Sequence, residues 1–151
     1  MIETLNMVIK KITPPGAIVD NASWTTDEID CAGFARALFI VELGALDIAM
    51  AAFKLQESDA SGSGMADVAG AIFGTSNNDT GSASTLPAAT DDNKLYAIEA
   101  DLRGRKRYLD LVLTGGDGTT GTYLSALVIL SRAQDAPRTA VEAGFAQRLI
   151  V

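Results

Sequence analysis

The sequence predicts an all-β protein, an antiparallel β-sandwich that is jelly-roll-like and carries extended N- and C-terminal arms. Apolar and polar residues alternate over short runs, and glycine-rich turns separate those runs at hairpin spacing. No convincing helical stretch lies between them, so sheet must pack on sheet. Eight or so strands fit a chain of 151 residues, as a jelly roll requires. The expected organisation is an N-terminal arm or edge strand over 1–16, a sandwich domain over 17–137 and a C-terminal tail or arm over 138–151. At this length folding hides roughly 70% of the unfolded chain's surface. The 48% hydrophobic fraction is ample for a core without disulfides.

Residues 1–15 are mixed in character and close on Pro14-Pro15-Gly16, a helix-breaking turn. Within them 7–12 can pair as an edge strand or extend as an arm, with Met7, Ile9 and Ile12 as candidate contact residues. Residues 17–24 and 28–34 are short β-like pieces around Thr25-Thr26-Asp27. The first strong strand is 37–43, where Leu38, Phe39, Ile40 and Val41 suit burial on both faces. Gly44-Ala45 reads as a turn. Residues 46–56 then alternate, Phe53 and Leu55 against Lys54 and Gln56, so the two runs are expected to form a hairpin.

Residues 57–64 have loop composition. Met65, Val68, Ala69 and Ile72 keep helical spacing interrupted by Gly70, which fits either a helical turn or an irregular strand. Residues 74–93 are rich in Thr, Ser, Asn, Asp and Gly. A loop that long is a flexible surface excursion or a contact loop. Residues 95–102 set Tyr96, Ile98, Ala100 and Leu102 on one face, opposite Glu99 and Asp101. Residues 107–114 gather Leu109, Leu111 and Leu113, with Tyr108, Asp110 and Val112 on the reverse, wet face. The connector Arg103-Gly104-Arg105-Lys106 holds the glycine of a tight hairpin. Gly115-Gly116-Asp117-Gly118 is a turn and 122–131 a long apolar strand. From Arg132 the strand pattern stops, and the chain ends apolar at Phe145, Leu149, Ile150 and Val151. That end is either a tail docked on its own core or an arm reaching a neighbour.

With 19 acidic against 12 basic residues the net charge is −7, which repels nucleic acid and anionic membranes. The one basic cluster is Arg103, Arg105, Lys106 and Arg107. It lacks the interleaved aromatics of a nucleic-acid surface, and reads as a solvated turn or a protein contact. The apolar runs fall short of the ~20 residues that span a bilayer. Residues 1–11 place their lysines after the apolar residues with no cleavage pattern, so a soluble protein made in a reducing cytosol is expected.

The equipment of common chemistries is sparse. There is no histidine, and Cys31 stands alone, which rules out an intramolecular disulfide and any Cys-x-x-Cys site. A cysteine with no histidine to activate it reads as a small buried residue. Most carboxylates fall in turns (Asp59, Asp79, Asp91, Asp92, Asp117) or on wet strand faces (Glu99, Asp101, Asp110). One Trp and three Tyr would line a glycosidase cleft poorly. Residues 115–121 lack the Lys-Ser/Thr ending of a phosphate loop and the acidic spacing of an EF-hand. No serine has a Gly-x-Ser-x-Gly context, and the histidines of cupin metal sites are missing. No catalytic residue, cofactor or metal is expected.

Leu55-Gln56-Glu57-Ser58-Asp59, then Asp67-Val68, then the run from Arg105 through Tyr108-Leu109-Asp110-Leu111-Val112-Leu113-Thr114, and finally Arg132 and Ala136-Pro137 form a pattern of strands and turns. Over roughly 35–137 it resembles the head decoration, or cement, proteins of tailed bacteriophages, small β-sandwich proteins. Residues 74–93 and those beyond Pro137 have no counterpart in the resemblance. It implies a non-enzymatic virion protein, made in the bacterial host cytoplasm. Such a protein binds the major capsid protein outside an icosahedral head, at capsomer junctions, as a homotrimer. A clip spanning subunits resists their separation by adding interface, about 1,200–2,000 Å² for a standard contact. Binding the assembled lattice better than free subunits stabilises it by mass action. The candidate contacts are Met7, Ile9 and Ile12 of the arm, the loop 74–93, Arg103, Arg105, Lys106 and Arg107, and Phe145, Leu149 and Ile150 of the tail. The alternatives are another phage morphogenesis component (head–tail joining or tail), or a carbohydrate-binding jelly-roll module.

Overall fold

The computed structural model describes residues 6–13, 22–116, 118–135 and 138–150. The expectations for the turn at Pro14-Pro15-Gly16, for 17–21, for Asp117, for the boundary at Pro137 and for Val151 lie outside the described residues. Nine strands follow one another: β1 (Val8–Thr13), β2 (Ser23–Thr25), β3 (Ile29–Asp30), β4 (Arg36–Leu46), β5 (Ala52–Ser58), β6 (Ala66–Ile72), β7 (Leu95–Asp101), β8 (Tyr108–Thr114) and β9 (Thr122–Ser131). They form two antiparallel sheets, one in the order β1-β9-β4-β7, the other β2-β8-β5-β6 with β3 also on β8. This is the predicted antiparallel β-sandwich. No helix among the described residues is long and apolar enough to cross a membrane.

Period-two alternation decides which side chains meet between the sheets. Ala37, Phe39, Val41 and Leu43 of β4 and Val128 and Leu130 of β9 face Phe53 and Leu55 of β5 and Leu109, Leu111 and Leu113 of β8, all of them buried. Phe53, Phe73 and Tyr96 pack ring on ring across the gap, with centroids 4.5 Å apart for Phe53–Phe73 and 5.7 Å for Phe73–Tyr96. β2 and β3 are two pieces of one strand along β8, paired at Trp24↔Leu113 and Ile29↔Leu109. Thr26 bridges the interruption. Its amide donates to the Leu111 carbonyl (2.9 Å), and its hydroxyl oxygen accepts from the Leu111 amide (3.0 Å).

The two expected hairpins are corrected. β4 and β5 lie in different sheets, as do β7 and β8, and among the described strands only β5 and β6 are both consecutive and paired. A glycine marks a change of direction without saying whether the chain turns back beside itself or steps across the roughly 10 Å between sheets. Stepping across puts both apolar faces into one core. Gly44 is no turn: β4 continues through it, with a register shift between Leu43 and Leu46 where it pairs with β9. A Cβ there would approach that of Tyr123 to 3.0 Å. Residues 66–72 resolve as a strand, β6, with a wide bulge: Gln56 pairs with Asp67 but Lys54 with Ile72. Gly70 takes φ +87° inside that bulge.

β1 is an edge strand, and Ile12 lies in the core beside Val8. Its outer edge is capped by the final segment, because the Ile9 amide donates to the Ala143 carbonyl (2.9 Å) and Ala143 is fully buried. Thr139 and Glu142 form a capping box around this turn, the Glu142 carboxylate accepting from the Thr139 amide at 2.8 Å. Of the two readings for the tail, residues 138–145 follow the docked one.

Replacing Phe53 by alanine empties the centre of the ring cluster, so a loss of about 3–5 kcal/mol in urea-denaturation stability is expected. Gly144 has φ +88°, and a Cβ on it would collide with the Ile9 carbonyl. Gly144→Ala is therefore expected to undock the final turn, with faster hydrogen exchange at the Ile9 amide and unchanged exchange in β8.

Candidate interaction surfaces

The basic turn joins the end of β7 to the start of β8. Arg107 holds Asp30 through two bonds, Nε to Oδ1 at 2.9 Å and Nη2 to Oδ2 at 2.7 Å, and lies over the Tyr108 ring. That guanidinium, against the opposing effect of partial burial, brings Asp30 down to about 2. Arg103 grips both oxygens of Asp101, and Arg105 meets Glu57 at 3.5 Å. Glu57 also accepts from the Lys106 amide at 3.2 Å. Three of the four cations are thus closed by carboxylates of the same chain. Exposed pairs of this kind add little stability, but they fix the turn's shape. The Lys106 ammonium has no carboxylate within pairing distance among the described residues.

Registers Val8↔Leu130, Arg36↔Ser131 and Arg36↔Asp101 place Met7, the basic turn and the stack of Arg138 on Phe34 at one end of the sandwich. Met7, Ile9 and Phe145 are half-buried, whereas Ile12 is inside and offers nothing to a partner in this fold. Leu149 is 94% exposed and Ile150 50%. Sequence reasoning thus named residues that gather at one end and along one edge, together with one core residue.

Cys31 is buried, its thiol pushed up to about 12 chiefly by desolvation, so it is no nucleophile near neutral pH. No cluster of three or more His, Cys, Asp or Glu side chains among the described residues has metal-binding geometry.

Asp110 corrects the expectation of a wet carboxylate. It sits on the outer face of β8, yet is only 5% exposed, and its Oδ1 has no hydrogen-bond partner. Glu28 lies close enough to oppose its charge, and itself pins the loop after β5 by accepting from the Ser61 hydroxyl (2.6 Å) and the Gly62 amide (2.8 Å). Burial first, and Glu28 second, push the Asp110 carboxyl above the usual range.

The loop 74–93 is laced together rather than loose. An Asn77↔Ala83 bridge closes it, Asn78 Oδ1 accepts from the amides of Thr80 and Ser82, and the Ser84 hydroxyl donates to Ser76. Asp91 ties its far end down, accepting from the Ala88 amide, the Lys94 ammonium and the Tyr96 hydroxyl. Lys94, Ala88 and Tyr96 together bring Asp91 down to about 2, while burial and Asp91 push Tyr96 up to about 12. Between this loop, β6 and β7 lies a groove of about 610 Å³. Leu38, Ala71, Leu95 and Ala97 are among its apolar lining, and Asp79 and Glu99 bring carboxylates. It went unread in the sequence, because two edge strands from different sheets create it.

No family model matches the chain, and no curated protein matches its sequence. Among solved structures, the crystal structure of the SPBc2 prophage-derived protein YomS is similar, with a TM-score of 0.46 and 13% identity. The match covers 83% of this chain and 94% of that one.

The raised Asp110 carboxyl has a signed consequence. Between its ordinary range and its raised one the fold holds a proton that the unfolded chain has released, so stability falls as pH rises through that window. Asp30 and Asp91 act oppositely and lower, losing their contribution only as pH falls from 3.8 to about 2. Asp110→Asn is therefore expected to flatten the decline of the melting temperature above pH 4, and to leave the acid limb unchanged.

Proposed function

We propose that the chain is a non-enzymatic structural protein of a tailed bacteriophage, a decoration protein that binds the outside of the head at capsomer junctions. In this reading the major capsid protein is its partner, it assembles as a homotrimer, and it resides on the virion surface. The resemblance of 35–137 to decoration proteins supplies the class. The observation that carries the reading is where this chain leaves apolar side chains uncovered. Leu149, Val141 and Leu95 are 94%, 77% and 68% exposed, outside the buried core. Polypeptide surfaces are what such side chains match.

The reading extends to the connectivity. β1 pairs with β9, the β2–β3 strand with β8, β4 with β7 and β5 with β6, the pairings that result when one long antiparallel ribbon is rolled into two sheets. In this reading the ribbon wraps in the manner of a jelly roll, which suits a rigid body bridging neighbouring subunits.

Purified protein mixed with phage heads lacking it is expected to pellet with them at a fixed number of copies per head, and to raise the temperature at which they release DNA. A protein that stays in the supernatant at every ratio overturns the proposal.

A further inference from the structure

The covered carboxyl on the outer face of β8 lies beneath a latch. β8 runs between β5 and the β2–β3 strand, and Gln56 of β5 is opposite Asp110 on one side. On the other side Thr25 pairs with Val112 and Ile29 with Leu109, so the β2–β3 strand carries one residue more than β8 over that stretch. Thr26 bonds to Leu111, which leaves Asp27 and Glu28 to share Asp110. Ile29 points into the core, so Glu28 beside it projects to the outer face. Its carboxylate nevertheless accepts from the Ser61 hydroxyl (2.6 Å) and the Gly62 amide (2.8 Å), in the loop that follows β5. Two strand spacings, about 10 Å, separate β3 from β5. The contact therefore crosses over β8 at the level of Asp110.

The other charges nearby are engaged elsewhere. On β5 Lys54 pairs with Asp67 of β6, and Gln56 also donates to Asp67. Asp30 and Arg107 hold each other, Arg107 lies over Tyr108, and Lys10 of β1 acts on Asp30. Asp27 and Asp59 are exposed acids at the two ends of the latch. Glu28 is thus the charge set against Asp110, whose Oδ1 has no hydrogen-bond partner under its cover. Two carboxylates in one covered place oppose each other's ionisation. A proton on Asp110 removes the conflict. Lifting the latch removes it too, because water then reaches Asp110 and Glu28 swings away. The loop has a shape of its own to lift with, since the Ser58 hydroxyl accepts from the Ala60 amide (3.0 Å) and donates to the Ser63 carbonyl (2.6 Å). We propose that Glu28 and residues 59–64 form a proton-controlled lid on β8, shut while Asp110 carries a proton and released when it loses it. Closure is then strongest in the ordinary carboxylate range and below, and weakens as pH rises through the raised range of the shut state. The lid needs no partner, so it stands apart from head binding.

Hydrogen exchange reads the latch at the Gly62 amide, as protection relative to an unstructured amide at the same pH. From about pH 4 to 8 that protection is expected to fall tenfold or more, the factor that accompanies a one-unit displacement of a carboxyl. Leu113 in β8 is expected to keep its protection. Carbon-13 NMR of the Asp110 side chain in the same wild-type protein is expected to titrate with the same midpoint. Asp110→Asn, which keeps the size without the charge, is expected to hold Gly62 protected at every pH. Protection of Gly62 that does not change with pH in wild type overturns the lid. So does a fall whose midpoint differs from the Asp110 titration, an equal fall in Asp110→Asn, or a parallel loss at Leu113, which reports global unfolding. Should Asp110→Asn fail to fold, the two wild-type midpoints decide the matter.

Discussion

The sandwich depends on one apolar layer that both sheets share. Phe39, Val41, Leu111, Leu113, Phe53 and Val128 interdigitate there with almost no exposure. Nearly every connection crosses from one sheet to the other, so no sheet has a core of its own to bury, and neither half can form alone. The ring cluster of Phe53, Phe73 and Tyr96 shows the economy of this arrangement. It joins β5, the end of β6 and β7, and so locks the sheets together at the side where their edges are otherwise open. Small residues make the wrapping possible: Gly44 lets β4 pass close to Tyr123 of β9, and Gly70 lets β6 bulge away.

Loops and strand ends leave backbone amides that no strand satisfies, and here carboxylates satisfy several of them. Asp92 accepts from the Leu46 amide (2.7 Å), Asp47 from the Thr120 amide, Asp91 from Ala88 and Glu28 from Gly62. A hydrogen bond to a carboxylate is stronger than one between neutral groups. This gives the acidic composition a structural meaning, since much of the negative charge is a set of loop clamps. It also accounts for the basic turn, whose three arginines meet Asp30, Glu57 and Asp101. Asp110 is an exception among the described carboxylates, a covered carboxyl whose Oδ1 has no partner and whose charge burial and Glu28 oppose.

Much of the architecture was legible in the sequence because a period of two is a local signal. The inward sets Tyr96-Ile98-Ala100 and Leu109-Leu111-Leu113 were readable directly, and so was the long final strand. Sheet membership was not, because Gly44 and Gly104 look alike whether a chain turns back or crosses over. The partners of the basic cluster were hidden for a related reason: Asp30 lies 77 residues from Arg107, and only the fold brings them together. Asp110 was read as wet because alternation reports which face a residue takes, and says nothing of a loop folding over that face. The groove had no local signal at all.

The two sides of the sandwich solve the edge problem differently. Along β1 the chain turns back and uses Ala143 to occupy the Ile9 amide. Along β7 nothing of the kind occurs among the described residues, and the strand is seven residues long with Leu95 68% exposed at its start. Soluble β-proteins usually blunt such an edge with charge or a bulge. Here Glu99 and Asp101 supply charge, but Arg36 and Arg103 neutralise it, and the bulge sits on β6, where it widens the trough instead of closing it. An edge neutralised by its own ion pairs and set beside an apolar trough is poorly defended against pairing.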